Sequence, residues 1–194
     1  MTSIVGLFPT NKAFKSDSQR LAVSLRSSIA KRRSHLNAAL CAREINVRIE
    51  ETQESDFLQV VDLVKRVVDK DILPHFSNEG QALFTSKVRS DVETTFDKSK
   101  FQNLKLIENN KVIGFAALRE NNYITHLFID TNFQNKGLGK LLLDNLLSLT
   151  ESSEVRLRAS VNAKNFYESQ GFVATEGEQN VDGVRFVPMR LVRT

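Results

Sequence analysis

Between a strand-like run at residues 124–130 (ITHLFID) and a leucine-rich run at 141–149 (LLLDNLLSL), the chain reads QNKGLGK at positions 134–140. Two glycines at the exit of a strand and the entrance of a helix suit an anion. The first N–H groups of a helix have no partner within it, its dipole adds partial positive charge, and glycine lets a phosphate approach the main chain. Two familiar phosphate loops fail on spacing. A dinucleotide loop needs glycine three places after Gly139, where Leu142 stands. A nucleoside-triphosphate loop needs glycine five places before Gly139 and a hydroxyl after Lys140, where Gln134 and Leu141 stand. By itself the pair Gly137 and Gly139 also suits a plain strand-to-helix turn.

The elements that would position this loop can be read from residue 45 onward. Ile45, Val47 and Ile49 alternate with polar residues as in a half-buried strand. Phe57, Val60, Val61, Val64, Val67 and Val68 then follow helical spacing behind a cap at Thr52 or Ser55. Pro74 breaks the pattern inside a loop, ILPHFSNEG, and Phe84, Val88, Val92 and Phe96 mark a second helix. FQNLKLIE and KVIGFAALRE form a hairpin about Asn109 and Asn110, residues that tolerate left-handed turns, and NYITHLFID extends the sheet. After the glycine loop come a helix bearing Leu138, Leu141, Leu142, Leu146 and Leu149, the strand EVRLRA, a short helix over 162–169, and strands at GFVAT and VRFVPMRL. Such an order predicts an α+β fold with a mixed sheet, about seven strands and about four helices, not a doubly wound parallel one.

At 194 residues and 41% hydrophobic content the chain supports one well-buried domain. The net charge of +4 is unevenly placed. Eight basic residues against two acidic ones fall within residues 1–44, giving that segment +6 and the remaining 150 residues −2. The mildly acidic domain argues against a nucleic-acid partner. One cysteine, Cys41, excludes an internal disulfide and a cysteine zinc cluster, so no metal is expected and a reducing cytoplasm fits. No apolar run reaches the ~20 residues of a membrane-spanning helix, so the expected protein is soluble, without a membrane partner. We divide the chain into a basic, poorly ordered extension (1–44) and a domain (45–194). The extension reads as a disordered tail with a short helix over 21–30, or as an organellar transit peptide rich in Arg and Ser. A third reading rests on NKAFKSDSQRLAVSLR and SHLNAAL, which resemble the translated recombination repeat of integron gene cassettes; it would place the natural start near Cys41.

Gln134-x-x-Gly137-x-Gly139 behind LFID resembles the acyl-CoA pyrophosphate loop of the GNAT N-acetyltransferase family. SVNAKNFYESQGF (160–172) resembles that family's second hallmark: a strand, an Asn, a short helix carrying Phe-Tyr, and Gly-Phe opening the next strand. The loop ILPHFSNEG and the terminal DGVRFVPMRL also resemble small members, so the likeness spans residues 45–194. It implies the GNAT fold and transfer of the acetyl group of acetyl-CoA, by direct attack, to a primary amine of a small molecule. Partner self-association as a homodimer is left open.

The resemblance also assigns residues. Main-chain N–H groups of Gln134, Asn135, Lys136, Gly137, Leu138, Gly139 and Lys140 would take the pyrophosphate, with charge from Lys136 or Lys140. Gln134 stands where members often carry Arg. Backbone groups of Leu127, Phe128 and Ile129, on a strand that splays from its neighbour, would hold the pantetheine arm and one thioester oxygen. Asn162 would bond the arm beside Phe166, and Tyr167 would protonate the departing thiolate: a phenol of pKa ~10 against a thiol of ~8.5 is a mildly uphill but workable donor. An acceptor amine of pKa ~10.4 is about one part in a thousand neutral near pH 7, so a base or water relay must help. His126 is the candidate base, with Tyr123 and His75 behind it. His75, Phe76, Ser77, Glu79 and Tyr123 are candidate substrate contacts. Other readings with the same fold are an acyl-CoA-binding sensor without turnover, and an acetyltransferase acting on a protein or aminoacyl-tRNA.

Overall fold

A computed structural model of the protein describes Ser3–Ile4 and residues 46–193. They fall almost wholly in the unit formed by Met1–Phe8 and Arg48–Thr194. Of the unit Pro9–Val47 only residues 46 and 47 are described, so the three readings of the basic extension concern residues that, but for Ser3 and Ile4, lie outside the described ones. In chain order the elements are β1 (Ser3–Ile4), β2 (Val47–Glu51), α1 (Phe57–Asp71), α2 (Asn78–Thr95), β3 (Phe101–Glu108), β4 (Lys111–Arg119) and β5 (Tyr123–Ile129). They continue with α3 (Leu138–Leu147), β6 (Glu154–Ser160), α4 (Lys164–Ser169), β7 (Val173–Ala174), β8 (Gln179–Val181) and β9 (Val184–Val192).

One sheet runs β2-β3-β4-β5-β6-β9-β7, with β1 on β5 and β8 on β9. The β3–β4, β4–β5 and β6–β9 pairs are antiparallel, and β5–β6 is parallel. The mixed α+β sheet expected from the sequence is therefore present, with β1 and β8 in addition. Asn109 and Asn110, at φ 49° and 61°, make the left-handed turn expected between β3 and β4.

α1 buries Val60, Leu63, Val64, Val67 and Val68, and α2 buries Phe84, Val88 and Val92. Both stripes join a core with Phe115, Ala117 and Phe128 on one face of the sheet. Side chains alternate along β5, so Ile129 points to the opposite face, where its Cγ1 lies 3.8 Å from the position a Gly139 Cβ would take. Helices thus cover both faces, with α3 entering behind β5.

Three local expectations are corrected. The cap before α1 is neither Thr52 nor Ser55. A 3₁₀ turn at Glu54–Asp56 leads in, and the Asp56 carboxylate accepts from Gln53 N (2.7 Å) and from Lys105 Nζ (2.7 Å). ILPHFSNEG is not all loop. Leu73–His75 is a 3₁₀ turn, and α2 begins at Asn78 because the Ser77 hydroxyl accepts from Gly80 N at 3.2 Å. On α3 the buried set is Leu138, Leu142, Leu143 and Leu146, with Leu141 and Leu149 half-buried.

Candidate active site

The loop starts from a braced strand end. Asp130, buried after β5, accepts from Asn132 N (3.1 Å) and pairs with Arg66 Nη1 of α1 (3.0 Å), which fixes α1 against this end of the sheet. A 3₁₀ turn at Thr131–Phe133 follows. Asn135 then turns left-handed at φ 60° and Gly137 at φ 78°, the latter directly before α3. A Cβ on Gly137 would meet nothing within 4 Å among the described residues, so this glycine answers to its backbone angle and to a space that those residues leave open. No side chain caps α3, and its first turn holds no acid. The first N–H groups of α3 and its positive dipole end therefore face that space uncompensated, the arrangement an anion requires. Lys140 pairs with Asp144 at 3.1 Å, and Lys136 Nζ lies 4.9 Å from the Phe133 ring centre; both lysines are exposed. Leu138 is buried, and Phe166 packs 3.6 Å from where a Gly139 Cβ would sit.

The strand whose splay is expected at Leu127, Phe128 and Ile129 carries an irregularity just before them. Ala117 is opposite His126 but Leu118 is opposite Ile124, so Thr125 is an extra residue in β5 and the strand bulges there. The parallel register of β5 with β6 is confined to Tyr123 and Arg156. Beyond it, β1 takes the edge of β5, with Ser3 opposite Leu127 and Ile4 opposite His126. The backbone groups assigned above to the pantetheine arm thus lie partly along β1.

His126 is buried between the rings of Phe115 and Phe128, each 5.7 Å away. The Thr125 hydroxyl donates to Ala117 O at 3.3 Å and lies 3.0 Å from His126 Nδ1. In the tautomer consistent with that donation, the hydroxyl accepts from Nδ1–H and the lone pair lies on Nε2. Burial lowers the pKa of His126 to about 3. The imidazole is neutral at physiological pH.

Tyr167 is fully buried against Phe166 (5.1 Å between ring centres) and Phe172 (5.4 Å). Asn162, exposed just before α4, donates from Nδ2 to the Asp71 carbonyl at 2.8 Å. Gln134 Nε2 donates to Asp71 Oδ2 (2.7 Å) and to Ile129 O (3.2 Å). Asp71 thereby links Gln134 with Asn162, while Phe166 lies against Gly139. Tyr123 lies under Arg119, whose Cζ is 4.8 Å from the ring centre; burial raises the phenol pKa despite Arg158 and Arg119 nearby. Of the remaining candidates, His75 and Glu79 are exposed, Phe76 is buried against Phe84 (5.3 Å), and Ser77 is the α2 cap. Sequence reasoning missed Thr125, Asp130 and Asp71. An acid ending an amphipathic helix, against the helix dipole, was a signal available for Asp71.

The family model for the acetyltransferase (GNAT) domain matches residues 72–193. An uncharacterised N-acetyltransferase of Escherichia coli, YafP, is 30% identical over 137 residues, 71% of this chain and 87% of that protein. A ribosomal protein bS18-alanine N-acetyltransferase of Haemophilus influenzae is 34% identical over 89 residues, covering 42% of this chain and 61% of the relative. Among solved structures, the PaiA N-acetyltransferase of Thermoplasma acidophilum in complex with coenzyme A superposes with a TM-score of 0.62 at 18% identity, covering 76% of this chain and 99% of that one.

Proposed function

The chain belongs to the GNAT family of acetyl-CoA-dependent N-acetyltransferases, and from that premise we propose that its acceptor is a primary amine of a small molecule, which attacks the thioester directly. Acetyl-CoA supplies an acetyl group activated as a thioester. The uncapped start of α3 behind Gly137 would hold its pyrophosphate, the splayed edge of β5 at Leu127, Phe128 and Ile129 its arm, and Asn162 and Phe166 the facing side. Tyr167 is the proposed acid toward the thiolate. His126 Nε2 is the proposed acceptor in a water relay from the amine: with a pKa of about 3 it would orient the relaying water by a hydrogen bond and leave the proton to pass on to solvent. We place this activity in the cytoplasm and within residues 45–194.

One observation favours a small acceptor. The Asp182–Gly183 turn presses against the first turn of α2: a Cβ on Gly80 would come within 2.5 Å of Gly183 O. That contact bounds the side lined by His75, Phe76 and Ser77, which suits a compact amine better than a threaded polypeptide. A second reading, a protein α-amine, has its support in the H. influenzae relative named for acting on a ribosomal protein.

Thiol release from acetyl-CoA, measured across small amines and a peptide with an N-terminal alanine, separates the two. Release with amines alone supports the proposal, and release with the peptide alone replaces it. Tyr167→Phe should lower kcat by ~10²-fold or more with acetyl-CoA affinity retained; an unchanged kcat removes Tyr167 from the chemistry.

A further inference from the structure

Asp71 closes α1, where a carboxylate faces the negative end of the helix dipole. The helix gains nothing from an acid there, yet the residue is bonded on two sides. Its Oδ2 accepts from Gln134 Nε2 (2.7 Å) and from Thr131 Oγ1 (3.4 Å), both in the segment that follows β5. Its carbonyl accepts from Asn162 Nδ2 (2.8 Å), in the segment that follows β6. β5 and β6 share parallel register at Tyr123 and Arg156; beyond it the β5 edge at His126 and Leu127 is taken by β1, so β5 and β6 have no direct ladder there. Asp71, from outside the sheet, bonds to the segments that follow both strands.

We propose that Asp71 is a positioning residue: its side chain sets the pyrophosphate loop and its main chain sets Asn162, so that the end of α1 fixes the spread of the cofactor cleft. This rests on acetyl-CoA lying between β5 and β6, as argued above. The Asp71 carboxylate holds the Gln134 carboxamide, which also donates to Ile129 O, and so keeps the loop folded back on the strand end. α1 itself does not depend on Asp71 for docking, because Arg66 holds Asp130 at 3.0 Å and the valine stripe is buried. A variant at 71 should therefore disturb the cleft and spare the fold.

The test is acetyl-CoA binding by calorimetry and steady-state kinetics on the full chain, comparing the parent, Asp71→Ala and Asp71→Asn. Asp71→Ala should raise both Kd and KM for acetyl-CoA about tenfold while kcat at saturation changes less than about twofold. Asp71→Asn, which keeps an oxygen able to accept from Gln134, should recover most of the affinity. Thermal midpoints of the three without ligand should agree closely. Parent binding with an unaltered Kd in Asp71→Ala overturns the role of Asp71 and leaves the cofactor reading intact. Equal losses in kcat and affinity with a lowered midpoint would mean a structural acid, and also overturn it. A parent protein that does not bind acetyl-CoA would instead remove the cofactor reading and this role together. Should Asp71→Ala fail to fold, Asp71→Asn and Gln134→Ala carry the comparison, and a Gln134→Ala protein with parent affinity refutes the proposal.

Discussion

Replacing Gly139 by alanine is expected to stabilise the free protein and weaken its hold on acetyl-CoA. Residue 139 is the second residue of α3, and its added Cβ would lie 3.6 Å from the Phe166 ring and 3.8 Å from Ile129 Cγ1, ordinary van der Waals contacts. Nothing among the described residues needs glycine there. An alanine in a helix is favoured over glycine by up to ~1 kcal/mol. In a chain of this size that raises the melting midpoint by about 2–4 °C. The new methyl would, however, stand at the α3 entrance beside Phe166, where the pyrophosphate is proposed to approach the main chain. Losing one charge-assisted hydrogen bond costs about 1.5–3 kcal/mol, or ~10–100-fold in affinity. The assay is thermal denaturation with and without acetyl-CoA at 100 times the parent Kd. The parent should gain ~2.7 kcal/mol, and a variant bound tenfold more weakly ~1.4 kcal/mol. Gly137→Ala is the contrast: at φ 78° a side chain costs roughly 1–2 kcal/mol, so this variant should melt lower even without ligand. A Gly139→Ala protein that binds acetyl-CoA as the parent does would refute close approach as the reason for the glycine.

Three further outcomes follow from named groups. With His126 held neutral by a pKa of about 3, kcat/KM between pH 5 and 8 should show no ionisation that His126→Gln removes; an inflection near 6.5 lost in that variant would refute the buried assignment. The depressed value also means that stability linked to His126 is fully present above its ordinary pKa near 6.5 and is lost as pH falls toward 3. Asp91 shows the opposite sign: burial raises its pKa to about 7, and its Oδ2 is buried with no hydrogen-bond partner. It therefore costs stability increasingly as pH rises from 4 through 7, and Asp91→Asn should stabilise by about 1–2 kcal/mol at pH 8, allowing for solvent screening, but hardly at pH 4, as chemical denaturation at both values will show. Removing Met1–Phe8 frees the β5 edge that β1 occupies at His126 and Leu127, and should tighten acetyl-CoA binding by up to ~10-fold, since one or two backbone hydrogen bonds at ~0.5–1.5 kcal/mol each no longer compete. Weaker binding by the shortened chain would show that β1 supports the cleft instead of competing for it.

What could be read in advance was whatever neighbouring residues decide between themselves. The asparagine pair at 109–110 specifies its own left-handed turn, and the alternation from Tyr123 to Ile129 specifies a strand. Other local signals were present but passed over: Asp182-Gly183, at φ 52° and 81°, is the hairpin signature that forms β8 against β9. Ser77 starts α2 without the acidic residue three places on that would have announced a capping box; Gly80 stands there and packs against Gly183. The turn at Glu120 and Asn121, at φ 49° and 60°, had no such announcement, because glutamate rarely takes a left-handed angle and is held there by its N–H donating to Lys100 O at 2.8 Å.

The site divides along the same line. The uncapped helix start and the left-handed Gly137 are properties of a short stretch, and QNKGLGK displays them. The chemistry of His126 is not local: its ordinary pKa near 6.5 makes it a ready base, and it is burial, to which Phe115, thirteen residues back from Phe128 in sequence but opposite it across the ladder, contributes together with Phe128, that drives the value down. Asp71 is further still from local inspection. It reads as one more acid in a solvent-facing helical turn until Gln134, 63 residues on, arrives at its carboxylate and Asn162, 91 residues on, at its main-chain carbonyl. The direct β5–β6 register at Tyr123 and Arg156 does not reach the segments that hold Gln134 and Asn162, which is why a residue bonded to both is informative about their spacing. The groups that bind are therefore written in adjacent residues, whereas the distance between them is written in residues that touch neither strand.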